Sequence, residues 1–158
     1  MTPIGAIEAS AFGAAMRDSA LLFATVKATH LAGIAMLVTS IGVLDLRLLG
    51  LRRAVPVRRL AGRVLPWTAA SFVLIVPSGL AMFIANAGEL IANPVFALKI
   101  CLIFAAGVNA AIFHAGAYRS AGRWDVEVMP PWAARAAAAL SLLLWSSVIG
   151  CGLQLAAA

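Results

Sequence analysis

Charge is what this sequence has least of. Only 11% of its 158 residues are Asp, Glu, Lys or Arg, against 63% hydrophobic. A soluble domain carries about a quarter charged residues. No soluble core hides so much apolar surface, so lipid must cover much of it and a water-soluble globular protein is excluded. Acidic residues are the scarcer sign, six against twelve basic. The basic surplus clusters in loops between apolar runs, a membrane-topology pattern that argues against nucleic acid as a partner. There are two cysteines, Cys101 and Cys151, and no CxxC pair. No Ser-His-Asp triad, nucleophile elbow or Gly-rich phosphate loop is visible, which removes ordinary hydrolase and phosphoryl chemistry. A cleavable signal peptide is missing too. The first apolar run outlasts an h-region and no cleavage site precedes it, so the start of the chain is expected to stay on the mature protein.

What is present is four long uncharged runs. Residues 28–44 carry no formal charge for 17 positions, 64–88 for 25, 100–118 for 19 and 136–158 for 23. Each reaches roughly the 20 residues that about 30 Å of hydrocarbon demands. The expectation is all-α: a polytopic membrane protein, a four-transmembrane-helix bundle forming one domain over 1–158, with spans near 20–50, 64–87, 94–118 and 132–156. Residues 1–17 read as a short amphipathic helix in the interface, with a frayed tail as the alternative. Asp18-Ser19 then caps the first span. Pro66 and Pro94 fall near span starts, where a missing N–H costs little. Pro77, followed by Ser78 and Gly79, predicts a kink in the second span. Small residues such as Ala106, Gly107 and Ala110 in span three, and Ala138 and Gly150 in span four, mark faces where membrane helices approach closely.

Nine arginines fall in the loops between spans one and two and between three and four. Arg17, Lys27 and Lys99 are the only basic residues on the other side. The positive-inside rule therefore puts the arginine loops in the cytoplasm of a bacterial inner membrane and both termini in the periplasm.

Ionisable groups inside such spans are costly, and each is a functional candidate. His30 lies roughly 18 Å in from the outer end of span one, whereas His114 lies roughly 30 Å along span three, which runs the same way. A single haem gripped by both would need them level. His30, with Lys27 at i−3 and Lys99 opening the third span, forms an outer cluster, and Gly33 removes a side chain that would block a flat ligand. One chemistry for this cluster is haem b, with His30 as axial ligand and Lys27 or Lys99 near the propionates. A second is Cu(I) held by His30, Cys101, Cys151 and Met82, which are soft ligands at similar depth. A Cys101–Cys151 disulfide is a third option, and a plain helix-to-helix hydrogen bond from His30 a fourth. His114 is either a cofactor contact or a polar packing residue near the cytoplasmic boundary. Asp45 reads as the partner of a loop arginine, Arg52 being one helical face away at i+7. With no carboxylate left at midplane, ion-coupled transport lacks its usual group.

The runs Lys27-Ala-Thr-His30-Leu-Ala-Gly33, Asp45-Leu-Arg47-Leu-Leu-Gly50, Leu65-Pro-Trp67, Pro77-Ser-Gly79, Asn93-Pro-Val-Phe96-Ala-Leu-Lys99 and Ser141-Leu-Leu-Leu-Trp145 together resemble an uncharacterised family of small four-helix bacterial inner-membrane proteins. The resemblance covers nearly the whole chain and implies fold and location. A fainter similarity, through His30 and Gly33 alone, links span one to copper-resistance D-type proteins and the membrane-bound protoporphyrinogen oxidase, a haem-associated class. The functional expectation is a small haem b electron-transfer protein linked to the quinone pool. The alternatives are a non-catalytic subunit of a larger membrane complex, homo-oligomeric or not, and a copper-handling protein.

Overall fold

The computed structural model describes residues 3–157. Among these, every regular element is helical. Four helices are long and apolar enough to cross a membrane: α3 (Ala20–Leu48), α4 (Val57–Ala85), α6 (Pro94–Ala115) and α7 (Trp132–Ala157). The short helices α1 (Pro3–Glu8), α2 (Ala11–Asp18) and α5 (Ala87–Ala92) gather at one end, where α7 also finishes, and a 3₁₀ turn (Ala117–Arg123) lies at the other. The first end is called terminal and the second basic below.

Helix boundaries follow local chemistry. The Ser19 hydroxyl accepts from the Leu22 N–H at 3.2 Å and caps α3, as the sequence led us to expect. Asn93 caps α6 through the Val95 N–H at 2.9 Å, with Pro94 in the first turn. The C-terminus of α3 closes on Gly50, whose φ of +104° suits glycine. The Gly50 N–H donates to the Arg47 carbonyl and the Leu51 N–H to that of Leu46, a helix stop that satisfies otherwise orphaned carbonyls.

Three expectations change. The second span begins at Val57, earlier than 64, so Arg58, Arg59 and Arg63 ride on the helix, and Pro66 lies inside it rather than at its start. Arginine is a good helix former and can lie along a helix end with its charge in the interface. The N-terminal amphipathic segment is two helices, split because Ser10 caps α2 by accepting from the Gly13 N–H at 3.1 Å; residues 1 and 2 of that segment lie outside the described part. Finally, α5 forms between spans two and three, where no helix was expected.

The N-terminal helices are docked onto the bundle. Met16 is fully buried against Ala81 and Ala85 of α4, with Phe23 and Val26 beside it. Arg17 donates to the Ala85 carbonyl at 3.1 Å and the Glu8 carbonyl at 2.8 Å, and the Glu8 carboxylate accepts from the Gly88 N–H at 2.8 Å. Replacing Arg17 with alanine is expected to loosen α1 and α2 by about 1 kcal/mol while leaving the spans intact. Faster hydrogen exchange confined to residues 3–18 and 85–90 is the readout.

The spans form two antiparallel pairs, α3 with α4 and α6 with α7, joined where α3 meets α7. The backbones of α4 and α6 do not come together. α3 is the most enclosed span, with 39% of its most apolar window buried against 6% for α6, and so it is the helix on which the others pack.

Candidate functional site

His30 projects from α3 into a notch on α4. Its Nδ1 lies 3.1 Å from the Ile75 carbonyl oxygen and 3.0 Å from the Ser78 hydroxyl. The notch is made by the Pro77-Ser78-Gly79 run. Proline has no N–H to bond back into the helix. The Ser78 hydroxyl donates back to the Leu74 carbonyl. Gly79 leaves the room: a Cβ there would stand 3.1 Å from the ring carbon Cε1 of His30. The sequence marked the Pro77-Ser78-Gly79 run; it did not signal that the run receives His30.

The carbonyl can only accept, so Nδ1 bears the proton in this arrangement. Nε2 keeps its lone pair and has no hydrogen-bond partner among the described residues. Lys99 of α6 is close enough to act on His30 electrostatically, and it interacts in turn with Cys151. The Lys99 Nζ lies 3.5 Å from where a Cβ on Gly152 would be. His30, Lys99, Cys151 and Gly152 thus share one locality in the terminal half. Lys27 is half-buried one turn before His30.

Other expected members stand apart. Gly33 opens no slot for a flat ligand, because α4 fills the space: a Cβ there would meet Ile75 Cγ1 at 2.8 Å and Leu74 Cβ at 3.1 Å. Its smallness serves close helix packing, the usual use of glycine between membrane helices. Cys101 is exposed and Cys151 buried, and both are free thiols. Met82 is half-buried on α4. Among the described residues no three His, Cys, Asp or Glu side chains cluster as a metal site.

The basic half holds a feature the sequence reading passed over. A cavity of about 380 Å³ lies where α4 and α6 stay apart, with walls from all four spans. Asp45 and His114 line it, with Ser40, Thr68, Asn109 and Ser141. Asp45 is 6% exposed, its Oδ2 has no hydrogen-bond partner among the described residues, and the Ser141 hydroxyl, which lines the same cavity, is the neighbour of its carboxyl rather than an arginine. The expected pairing with Arg52 fails because Asp45 turns inward, whereas Arg52 is exposed in the loop with φ of +50°. His114 meets the rings of Phe113 and Tyr118 edge-on, with centroids 5.2 and 5.1 Å away. The spacing held a signal: Ser40, Ile41, Leu44, Asp45 and Leu48 fall on one face of α3, and Ser141 and Trp145 on one face of α7. His30 and Asp45 are fifteen residues apart on α3, or about 22 Å along its axis.

Four apolar spans around a His-bearing half and a carboxyl-bearing cavity define a small multi-pass membrane protein. The chain belongs to a family of unknown function, DUF6644, whose sequence model matches residues 6–157. No curated protein and no solved structure matches it, so the fainter similarity to copper-resistance proteins and to protoporphyrinogen oxidase gains no support.

Proposed function

We propose that the protein is a small membrane haem b carrier that moves electrons between the quinone pool and a partner, with His30 as the axial ligand. It would sit in a bacterial inner membrane with the basic end in the cytoplasm. One observation carries the reading: Nδ1 of His30 is held by the Ile75 carbonyl and the Ser78 hydroxyl while Nε2 is left unpartnered. A carbonyl that fixes the tautomer and leaves the other nitrogen free is how ligating imidazoles are prepared. Lys99, close enough to act on His30 electrostatically, supplies an amine suited to a propionate. Haem b supplies one-electron chemistry when bound; the chain's part is to orient the ring and exclude water.

A second reading makes the protein a non-catalytic subunit of a membrane complex. The same two contacts from His30 tie α3 to α4, and Gly107, Ala110 and Ala111 on α6 are exposed, offering a small-residue face to a partner helix. The absorption spectrum of the purified protein separates the two. A haem carrier shows a Soret band that His30→Ala removes or shifts. A structural subunit shows no band, with or without added haemin, and His30→Ala costs it about 1–3 kcal/mol of stability alone. Stoichiometric copper without a Soret band would assign the site to copper.

A further inference from the structure

The cavity in the basic half is built to take a ligand. We propose that it binds the head ring of a quinol drawn from the bilayer, with Asp45 accepting a hydrogen bond from a ring hydroxyl. The choice of a redox-active ring rests on the electron-transfer reading; the cavity and its carboxyl stand without it.

The carboxyl comes first. Asp45 lines the cavity and is 6% exposed, and its buried Oδ2 has no hydrogen-bond partner among the described residues. A buried acceptor without a partner is a standing cost that a ligand donor relieves. Water is a poor occupant. About 380 Å³ is room for roughly a dozen waters at ~30 Å³ each, but most of the wall is apolar and several polar groups are already engaged. The Ser40 and Thr68 hydroxyls share a hydrogen bond at 2.9 Å, one donating to the other and the acceptor donating in turn to a backbone carbonyl of its own helix, and the Asn109 amide donates to the Ala137 carbonyl at 2.9 Å.

The walls favour a flat ring. Phe72, Phe113, His114 and Trp145 all line the space, and aromatic side chains pack best on planar partners. Trp145 lines the same space, and its indole N–H, without a hydrogen-bond partner among the described residues, is a donor that a second ring oxygen can use. The volume lies within the range of small-molecule pockets. The route is lateral: the backbones of α4 and α6 stay apart where they line the cavity, and the two helices touch through the Phe83–Phe96 ring stack nearer the terminal end, so a lipid-soluble molecule enters between them at the level of the cavity. A protonated amine would also seek the carboxyl, but the arginines of the adjoining basic end repel a cation and leave a neutral hydroxyl unopposed.

The test is calorimetric titration of the full chain in nanodiscs with a decyl-substituted benzoquinol, under anaerobic reducing conditions, against empty nanodiscs. The expected result is saturable binding near one per chain, weakened tenfold or more by Asp45→Leu in a protein that melts as a folded bundle. If Asp45→Leu does not fold, Trp145→Phe keeps the ring and loses the donor, and it is expected to bind three- to tenfold more weakly. Heat no greater than that of empty nanodiscs overturns the proposal. So does unchanged affinity in the folded variant, or Asp45-dependent binding of a long-chain alkylamine with none of the quinol. Quinol binding through Asp45 in protein that shows no Soret band removes the haem reading and keeps this site. A Soret band with no quinol binding does the reverse.

Discussion

Replacing Arg47 with alanine is expected to cost about 3 kcal/mol or more, and to lower the melting temperature in detergent by roughly 10 °C. Arg47 is 2% exposed. Its Nε donates to the Val55 carbonyl at 2.7 Å, and its Nη2 to the carbonyls of Arg53 at 3.1 Å and Asp125 at 2.9 Å. One guanidinium thus ties the end of α3 to its own following loop and to the stretch leading into α7. The clamp has further strands around it. The Asp125 carboxylate accepts from the Arg58 N–H at 2.8 Å, capping α4 from a distant part of the chain, and the Glu127 N–H donates to the Arg53 carbonyl at 3.0 Å. Without Arg47, three carbonyls lose a charged donor together. Lysine does not restore the clamp, because a point charge cannot span carbonyls that a planar fork reaches at once. Arg47→Lys is therefore expected to recover less than half of the loss. Thermal unfolding followed by circular dichroism checks both variants, and an unchanged melting temperature in Arg47→Ala would remove the clamp.

The spans were legible in the sequence because a bilayer demands one thing, a long uncharged run, and four runs meet it. Depth was less legible, since it needs to be known which way each residue faces. Arg47 and Asp45 show the difficulty. They are two positions apart and therefore point to different sides of α3. The sequence offers two charges near a helix end and invites pairing each with the loop. In the structure Arg47 takes the loop carbonyls and Asp45 takes the interior. The same limit applies to Gly33. A glycine one turn past a histidine can make room for a ligand or for a helix, and only the position of α4 decides. His30 stood out because a lone imidazole in an apolar run must find a partner, and it finds two on α4. That its partners would lie in the turn of α4 around Pro77 depended on a register between residues 45 apart in sequence, which no local pattern encodes.

The largest effect is expected at that α3–α4 contact. Gly33→Leu should fail to give a folded bundle, because even a Cβ would stand 2.8 Å from Ile75 Cγ1 and 3.1 Å from Leu74 Cβ. Neither atom is the free end of a flexible chain, so the helices themselves must separate. Gly33→Ala probes the same contact at lower cost, about 1–3 kcal/mol. Other glycines supply the control. A Cβ on Gly42 or Gly107 meets nothing within 4 Å, so alanine there is expected to be neutral or to stabilise by up to about 1 kcal/mol through helix propensity. The contrast also bears on His30. Ile75 is both the residue that a Gly33 side chain would strike and the one whose carbonyl holds Nδ1. Loosening the contact must therefore disturb the imidazole. If His30 ligates haem, Gly33→Ala should shift the Soret band as well as lower the melting temperature, whereas Gly42→Ala should do neither. A Gly33→Ala protein as stable as the parent would show that α3 and α4 do not pack as closely as described, and the notch around His30 would lose its basis.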